Sequence, residues 1–178
     1  MDLYLENDRL LLRALEPEDL TTLYAWENDS SLWHTANTLT PFSRYVLKKY
    51  IAESHLNIYE SKQLRLMVCL KENAQAIGTI DLFDFDAHHR KAEIGIFIDQ
   101  TYQKQGYAKE AFILFQTYVF DFLHLHQIYA HIAVSNKACL SLHESCGFKI
   151  CATLRDWSFT PNGFEDVYIL QNVYSPGL

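Results

Sequence analysis

The chain has no apolar run near the ~18 residues that a membrane-spanning helix needs, which excludes a helical span. Its first residues carry acids, Asp2, Glu6 and Asp8, where a secretory leader needs bases, and no apolar stretch follows them. The four cysteines, Cys69, Cys139, Cys146 and Cys151, form no Cys-x-x-Cys pair, so reduced thiols in a cytoplasmic protein are expected. There is no basic cluster, and the net charge of −7 excludes a nucleic-acid surface, which needs cations against phosphates. Neither GxxxxGK[ST] nor GxGxxG occurs, which sets aside the common nucleotide-binding loops. His88, His89, His124, His126 and His131 lack metal-ligand spacing, so no metal is expected. Repeats, low-complexity tracts and linkers are also missing, leaving a single domain over residues 1–178.

What is present is an ordinary globular composition, 49% apolar and 21% charged, with enough length for one sizeable core. The acidic balance fits a cationic partner or serves solubility alone. Residues 9–15 read as a strand, and Pro17 with Glu18 and Asp19 opens a helix that fades near Asn28. A second helix is expected over 41–56. Two strands, 63–70 and 76–85, are joined by a turn at Lys71-Glu72-Asn73, and a third follows at 90–98. Beyond a loop and a long central helix come a strand at 127–134 and a short helix closed by Gly147. Two final strands flank the turn Thr160-Pro161-Asn162-Gly163. The fold class is therefore α/β, a mixed sheet of about seven mostly antiparallel strands with about four helices on both faces.

The most informative segment is the passage from Ile94 to Phe122. Strand residues stop at Asp99, and the loop Gln103-Lys104-Gln105-Gly106-Tyr107-Ala108 leads into apolar positions Ala108, Ala111, Phe112, Phe115, Val119 and Phe122 at helical spacing. The start of a helix presents backbone N–H groups without intrahelical partners. With the positive end of the helix dipole they suit a phosphate or pyrophosphate.

These residues resemble the GCN5-related N-acetyltransferase superfamily over nearly the whole chain. That family marks its acetyl-coenzyme A loop with Gln/Arg-x-x-Gly-x-Gly/Ala, which Gln103, Gly106 and Ala108 satisfy. A second signature, an asparagine opening the next helix and a Gly-Phe before the following strand, matches Asn136 and Gly147-Phe148. Residues 7–20, 88–98 and 162–170 are similar to the branch of ribosomal-protein alanine and spermidine acetyltransferases. The resemblance implies that the pantetheine arm pairs with the backbone near Phe97 and Ile98. It places the pyrophosphate on the N–H groups of Gln105, Gly106, Tyr107, Ala108 and Lys109. The Lys109 ammonium either adds charge there or is an ordinary exposed helix lysine.

Acetyl transfer to an amine needs a proton acceptor for the incoming ammonium, a donor to the tetrahedral oxyanion and a proton for the departing thiolate. Many relatives carry a tyrosine seven residues after the asparagine, where this chain has His143. Two helical turns put Asn136 and His143 on one face, with Cys139 between them. His143 is thus the candidate thiolate acid, against a substrate-facing or structural histidine. Glu93, in the strand leading to the loop, is the candidate base, against a paired structural glutamate. Asp81 and Asp84, matching acids of the spermidine enzymes, are candidate substrate residues, against exposed strand-end acids. Strict alternation puts Asp84 with Asp86 and leaves Asp81 opposite, unless a bulge intervenes. The expected activity is direct transfer of acetyl from acetyl-coenzyme A to a primary amine, a polyamine such as spermidine or else a protein N-terminus. A non-catalytic acyl-coenzyme A-binding module is the alternative, and a homo-oligomer is possible in either case.

Overall fold

The computed structural model describes residues 4–176. Its sheet has seven strands, β1 (Leu10–Arg13), β2 (Leu64–Leu70), β3 (Ala76–Asp86), β4 (Lys91–Ile98), β5 (Gln127–Ala133), β6 (Lys149–Thr160) and β7 (Gly163–Val173). They lie in the order β1-β2-β3-β4-β5-β7-β6. Every neighbouring pair is antiparallel except β4 with β5. Four helices have eight or more residues: α1 (Leu20–Glu27), α3 (Arg44–Glu53), α5 (Tyr107–Thr117) and α6 (Lys137–Ser145). The single-turn helices α2 (Trp33–Ala36) and α4 (Ile58–Ser61) complete the set.

Helices cover both faces because alternate strand residues are apolar on each side. On one face Ala92, Ile94 and Ile98 of β4 join Ala111, Phe112 and Phe115 of α5 in the main core. On the other, Met67 and Cys69 of β2 pack with Leu23 of α1 and Ile51 of α3 in a second, smaller cluster. Local signals set the helix ends. Ser43 caps α3 by accepting from the Val46 N–H at 3.1 Å, so that helix starts after the expected Pro41. Pro17 opens a 3-10 turn that runs into α1 instead of the α-helix itself.

The central helix departs from its expected regularity. After Thr117 it widens into a π turn over Tyr118–Phe122, with the Leu123 N–H donating to Tyr118 O at 3.0 Å. Widening changes the phase of the side chains. Phe120 is therefore buried, while Phe122, expected on the core face, is 56% exposed.

Candidate active site

The parallel pair is short, and that shortness makes the site. β4 and β5 are in register only at Lys91↔Gln127, Ala92↔Ile128 and Glu93↔Tyr129. Beyond Glu93, β4 runs on to Ile98 paired with β3 alone, and β5 runs on to Ala133 paired with β7 alone. The two strands therefore part at their carboxyl ends, the usual place for a ligand in such sheets. β4 is held to β3 there by close backbone approach, since a Cβ on Gly78 would lie 2.1 Å from Phe97 O. The edge of β4 that faces the opening includes Phe97 and Ile98, which the resemblance assigns to pantetheine.

The loop after β4 closes one end of this opening. Gln103 anchors it by donating from Nε2 to Ile98 O at 2.9 Å, and Gln105 Nε2 donates to Thr101 O at 3.2 Å. Lys104 and Gly106 both take left-handed backbone, φ 61° and 86°, and Gly106 is the residue before α5. Arg9, from the far end of the chain, reaches this loop. Its Nη2 donates to Gln105 O at 3.1 Å, its guanidinium lies 4.5 Å over the Tyr107 ring, and it ion-pairs with Glu110. With the Gln105 carbonyl turned toward Arg9, the trans peptide aims the Gly106 N–H the opposite way. The first-turn N–H groups of Tyr107, Ala108 and Lys109 have no intrahelical acceptors and continue that donor set. Lys109 is exposed and close enough to Cys146 to lower its thiol pKa, although burial dominates and pushes that thiol up.

The second end of the opening is α6. Asn136 is its N-cap, with Oδ1 accepting from the Cys139 N–H at 3.2 Å. His143, two turns on, is only 2% exposed and sits edge-on to Phe112 and Phe148, at centroid distances of 4.9 and 5.0 Å. Its Nδ1 lies 2.8 Å from Cys139 O, so a carbonyl fixes the proton on that nitrogen, and Nε2 has no partner. Burial lowers its pKa, against a smaller opposing effect of the bond to Cys139 O. Burial likewise pushes the Cys139 thiol up to about 11, which keeps it neutral.

Of the candidate carboxylates, Glu93 and Asp81 lie on the sheet face opposite α5. Glu93 pairs with Phe83 on β3 and with Tyr129 on β5, so all three point the same way. Asp81 shares that face, but it is already matched. Arg65 Nε and Nη2 bind its two oxygens at 2.7 and 3.0 Å, and Arg65 Nη1 reaches Glu27 of α1 at 2.5 Å. Asp84 stands at a bulge between Phe83 and Asp86 with φ 51°. The bulge returns Asp86, opposite Lys91, to the face of Glu93. Glu93 itself crosses the opening: its Oε1 accepts from the His131 N–H at 3.1 Å and lies 2.9 Å from His131 Nδ1. A side chain thus satisfies an N–H that the parted ladder has abandoned.

A glycine loop with outward N–H groups, facing a sheet opening lined by carboxylates, is the geometry of an acyl-coenzyme A enzyme acting on an amine. The family model described as acetyltransferase (GNAT) domain matches residues 9–149. This chain belongs to the GNAT acetyltransferase family. It is 32% identical to the spermidine N(1)-acetyltransferase of Vibrio cholerae, over 94% of this chain and 96% of that one. The crystal structure of the Vibrio cholerae spermidine N-acetyltransferase with CoA and spermine superposes with a TM-score of 0.84 at 28% identity, covering 94% and 96% of the two chains. A dodecameric structure of that enzyme, in an intermediate state, gives 0.78 at 30% identity, covering 94% and 95%.

The protein is therefore an acetyl-coenzyme A-dependent N-acetyltransferase with a mixed α/β fold. Acetyl-coenzyme A, when bound, would supply an activated thioester, and the unpaired N–H groups at the start of α5 would suit its pyrophosphate. Sequence reasoning missed two residues of the site. Arg9 lies about a hundred positions from the loop it clamps, and no local pattern ties the two together. His131 falls on the same strand face as Tyr129 by simple alternation, but its neighbour Glu93 comes from another strand. Among the described residues, no group of three or more His, Cys, Asp and Glu could hold a metal ion.

Proposed function

We propose that this acetyltransferase acts on a polyamine, a spermidine-like chain of spaced ammonium groups. The observation that carries the reading is the carboxylate cluster at the last rung of the parallel pair: Glu93 stands beside Tyr129, and the bulge at Asp84 returns Asp86 to the same face. The Tyr129 pKa is raised by burial and then by Glu93, Asp84 and Asp86, in keeping with that cluster. Such a cluster favours a cation. Asp81 contributes less directly, since Arg65 already neutralises it; its part is to hold β2, β3 and α1 in place beneath the site. Asp84 and Asp86 are then the residues that draw the distal ammonium groups. The likeness to spermidine enzymes supports the same acceptor.

Transfer proceeds by direct attack of the deprotonated amine on the thioester within a ternary complex. The loop residues Gln103, Gln105, Gly106, Tyr107, Ala108 and Lys109 take the pyrophosphate, and Asn136 fixes the start of α6 on the opposite side. Phe97 and Ile98 give the pantetheine a strand edge. For His143 the geometry supports packing: its one N–H is bound to Cys139 O, and the thiolate takes its proton from the acceptor nitrogen. Four free thiols support a reducing, cytoplasmic setting. The long exposed edge strand β6, with Trp157 and Phe159 60% and 71% exposed, supports self-association.

Thiol release from acetyl-coenzyme A against polyamines, aminoglycosides, amino acids and N-terminal peptides tests the acceptor. Polyamines are expected to give the highest kcat/KM. A ribosomal-type N-terminal peptide turned over faster than spermidine would overturn the polyamine assignment and leave the enzyme class intact.

A further inference from the structure

We propose that His131 is the general base of this enzyme, taking the acceptor's proton at Nε2, and that Glu93 is the residue that positions it. The inference rests on the acetyltransferase reading and adds the identity of the base. Glu93 stands at the last rung before the opening, but its Oε1 is engaged twice by His131, through the backbone N–H and through Nδ1. A carboxylate only accepts, so it fixes the imidazole proton on Nδ1 and leaves a lone pair on Nε2. Exposure separates the two groups: the His131 side chain is 34% exposed and that of Glu93 12%. The imidazole is thus the group an acceptor meets first.

Position agrees with that assignment. Glu93↔Tyr129 is the last pair of the parallel ladder, and His131 lies two residues further along β5, on the same face and on the rim of the opening. Tyr129 stands edge-on to its ring at 5.9 Å, while β7 brings only the apolar Ile169 opposite it. The charged group set against the ring is Glu93 from β4, whose carboxylate faces the imidazolium as it forms. A carboxylate that fixes the tautomer of a histidine and faces its charged form is a well-founded device for proton transfer. His143 has none of this, being buried with its N–H on a backbone carbonyl.

The step balances. Nε2 takes one proton from the acceptor ammonium, giving imidazolium and a neutral amine. The amine nitrogen forms a bond to the thioester carbonyl carbon, and the C–S bond breaks. The second proton of that nitrogen goes to the thiolate, yielding the acetamide and free coenzyme A. The imidazolium then releases its proton to water.

The test uses the full-length enzyme with acetyl-coenzyme A and its best acceptor. His131→Asn keeps an N–H for Glu93 Oε1 but has no basic lone pair. Its kcat is expected to fall by about 10²–10⁴-fold, with acetyl-coenzyme A affinity by calorimetry unchanged. Wild-type kcat falls toward acid as the imidazole is protonated, and that limb is absent in His131→Asn. Glu93→Gln still accepts the His131 N–H through its amide oxygen; it is expected to lose less kcat and to keep the limb. Should His131→Asn bind the donor poorly, His131→Gln serves as the second variant. Wild-type kcat with an intact acid limb in either folded variant overturns the assignment, as does a Glu93→Gln enzyme that loses both kcat and limb. A wild-type protein that releases no thiol with any amine overturns the acetyltransferase reading itself, and the base with it.

Discussion

At the scale of single residues, backbone conformation and protonation decide more than side-chain size. A Cβ on Gly106 would meet only Arg9 Nη2, at 3.5 Å, so space permits a larger residue. The φ of 86° does not, because left-handed backbone costs an L-residue about 1–2 kcal/mol. Gly106→Val is expected to turn the peptide and forfeit one or two charge-assisted bonds to phosphate. At ~1.5–3 kcal/mol each, acetyl-coenzyme A affinity falls at least about tenfold. Unchanged calorimetric affinity in a folded variant would remove the phosphate-loop assignment. His143 makes the opposite case, a titratable group that serves by staying neutral. Burial lowers its pKa, so the folded state binds fewer protons than the unfolded chain below about pH 6.5. Its contribution to stability is complete above that pH and is lost as the solution is acidified. His143→Phe keeps the aromatic packing with Phe112 and Phe148, so the melting temperature should decline less between pH 7 and 5 than in the wild type. The same variant should keep a near wild-type kcat, whereas an acid role would cost about 10²–10⁴-fold.

At the scale of elements, the site exists because β4 follows β3 and leaves β5. Gly78 permits that choice: the β3 backbone passes so near Phe97 O that any side chain there displaces the strand. Gly78→Ala is expected to destabilise the fold by about 1–3 kcal/mol or more, as overpacking does. Because Phe97 and Ile98 shift with β4, KM for acetyl-coenzyme A should rise as well. A denaturation midpoint and KM both equal to wild type would show that the strand edge is not held in this way. The Arg65 network works at the same scale. Burial opposes its charge, and Asp81 with Glu27 outweigh that cost, which ties α1 to two strands at once. An acid that looks available on one strand is in this way a fastening between three elements.

At the scale of the whole molecule, the net charge of −7 and the carboxylates near Tyr129 have the same sign, so both would draw the polyamine proposed as acceptor. KM for spermidine should rise with ionic strength between about 0.05 and 0.5 M, because the Debye length shrinks from roughly 14 to 4 Å. A monoamine of similar size should show a smaller slope, and Asp84→Asn should flatten the spermidine slope. Equal slopes for the two amines would sink the polyamine assignment. The same molecule shows how far its sequence could be read. Strand and helix order, the glycine loop before Tyr107 and the Asn136 cap were legible because each rests on residues a few positions apart. The acetyltransferase resemblance was carried by these same short motifs. The π turn that exposes Phe122 and the match of Asp81 to Arg65 were not, and the bulge at Asp84 stood only as an open alternative, since strand register and ion pairing depend on neighbouring elements. So do the reach of Arg9 to the loop and the grip of Glu93 on His131. Local periodicity and turn chemistry act over a few residues and determined the elements; which side chains meet was decided only when β4 parted from β5, because partners from distant segments have no local signature.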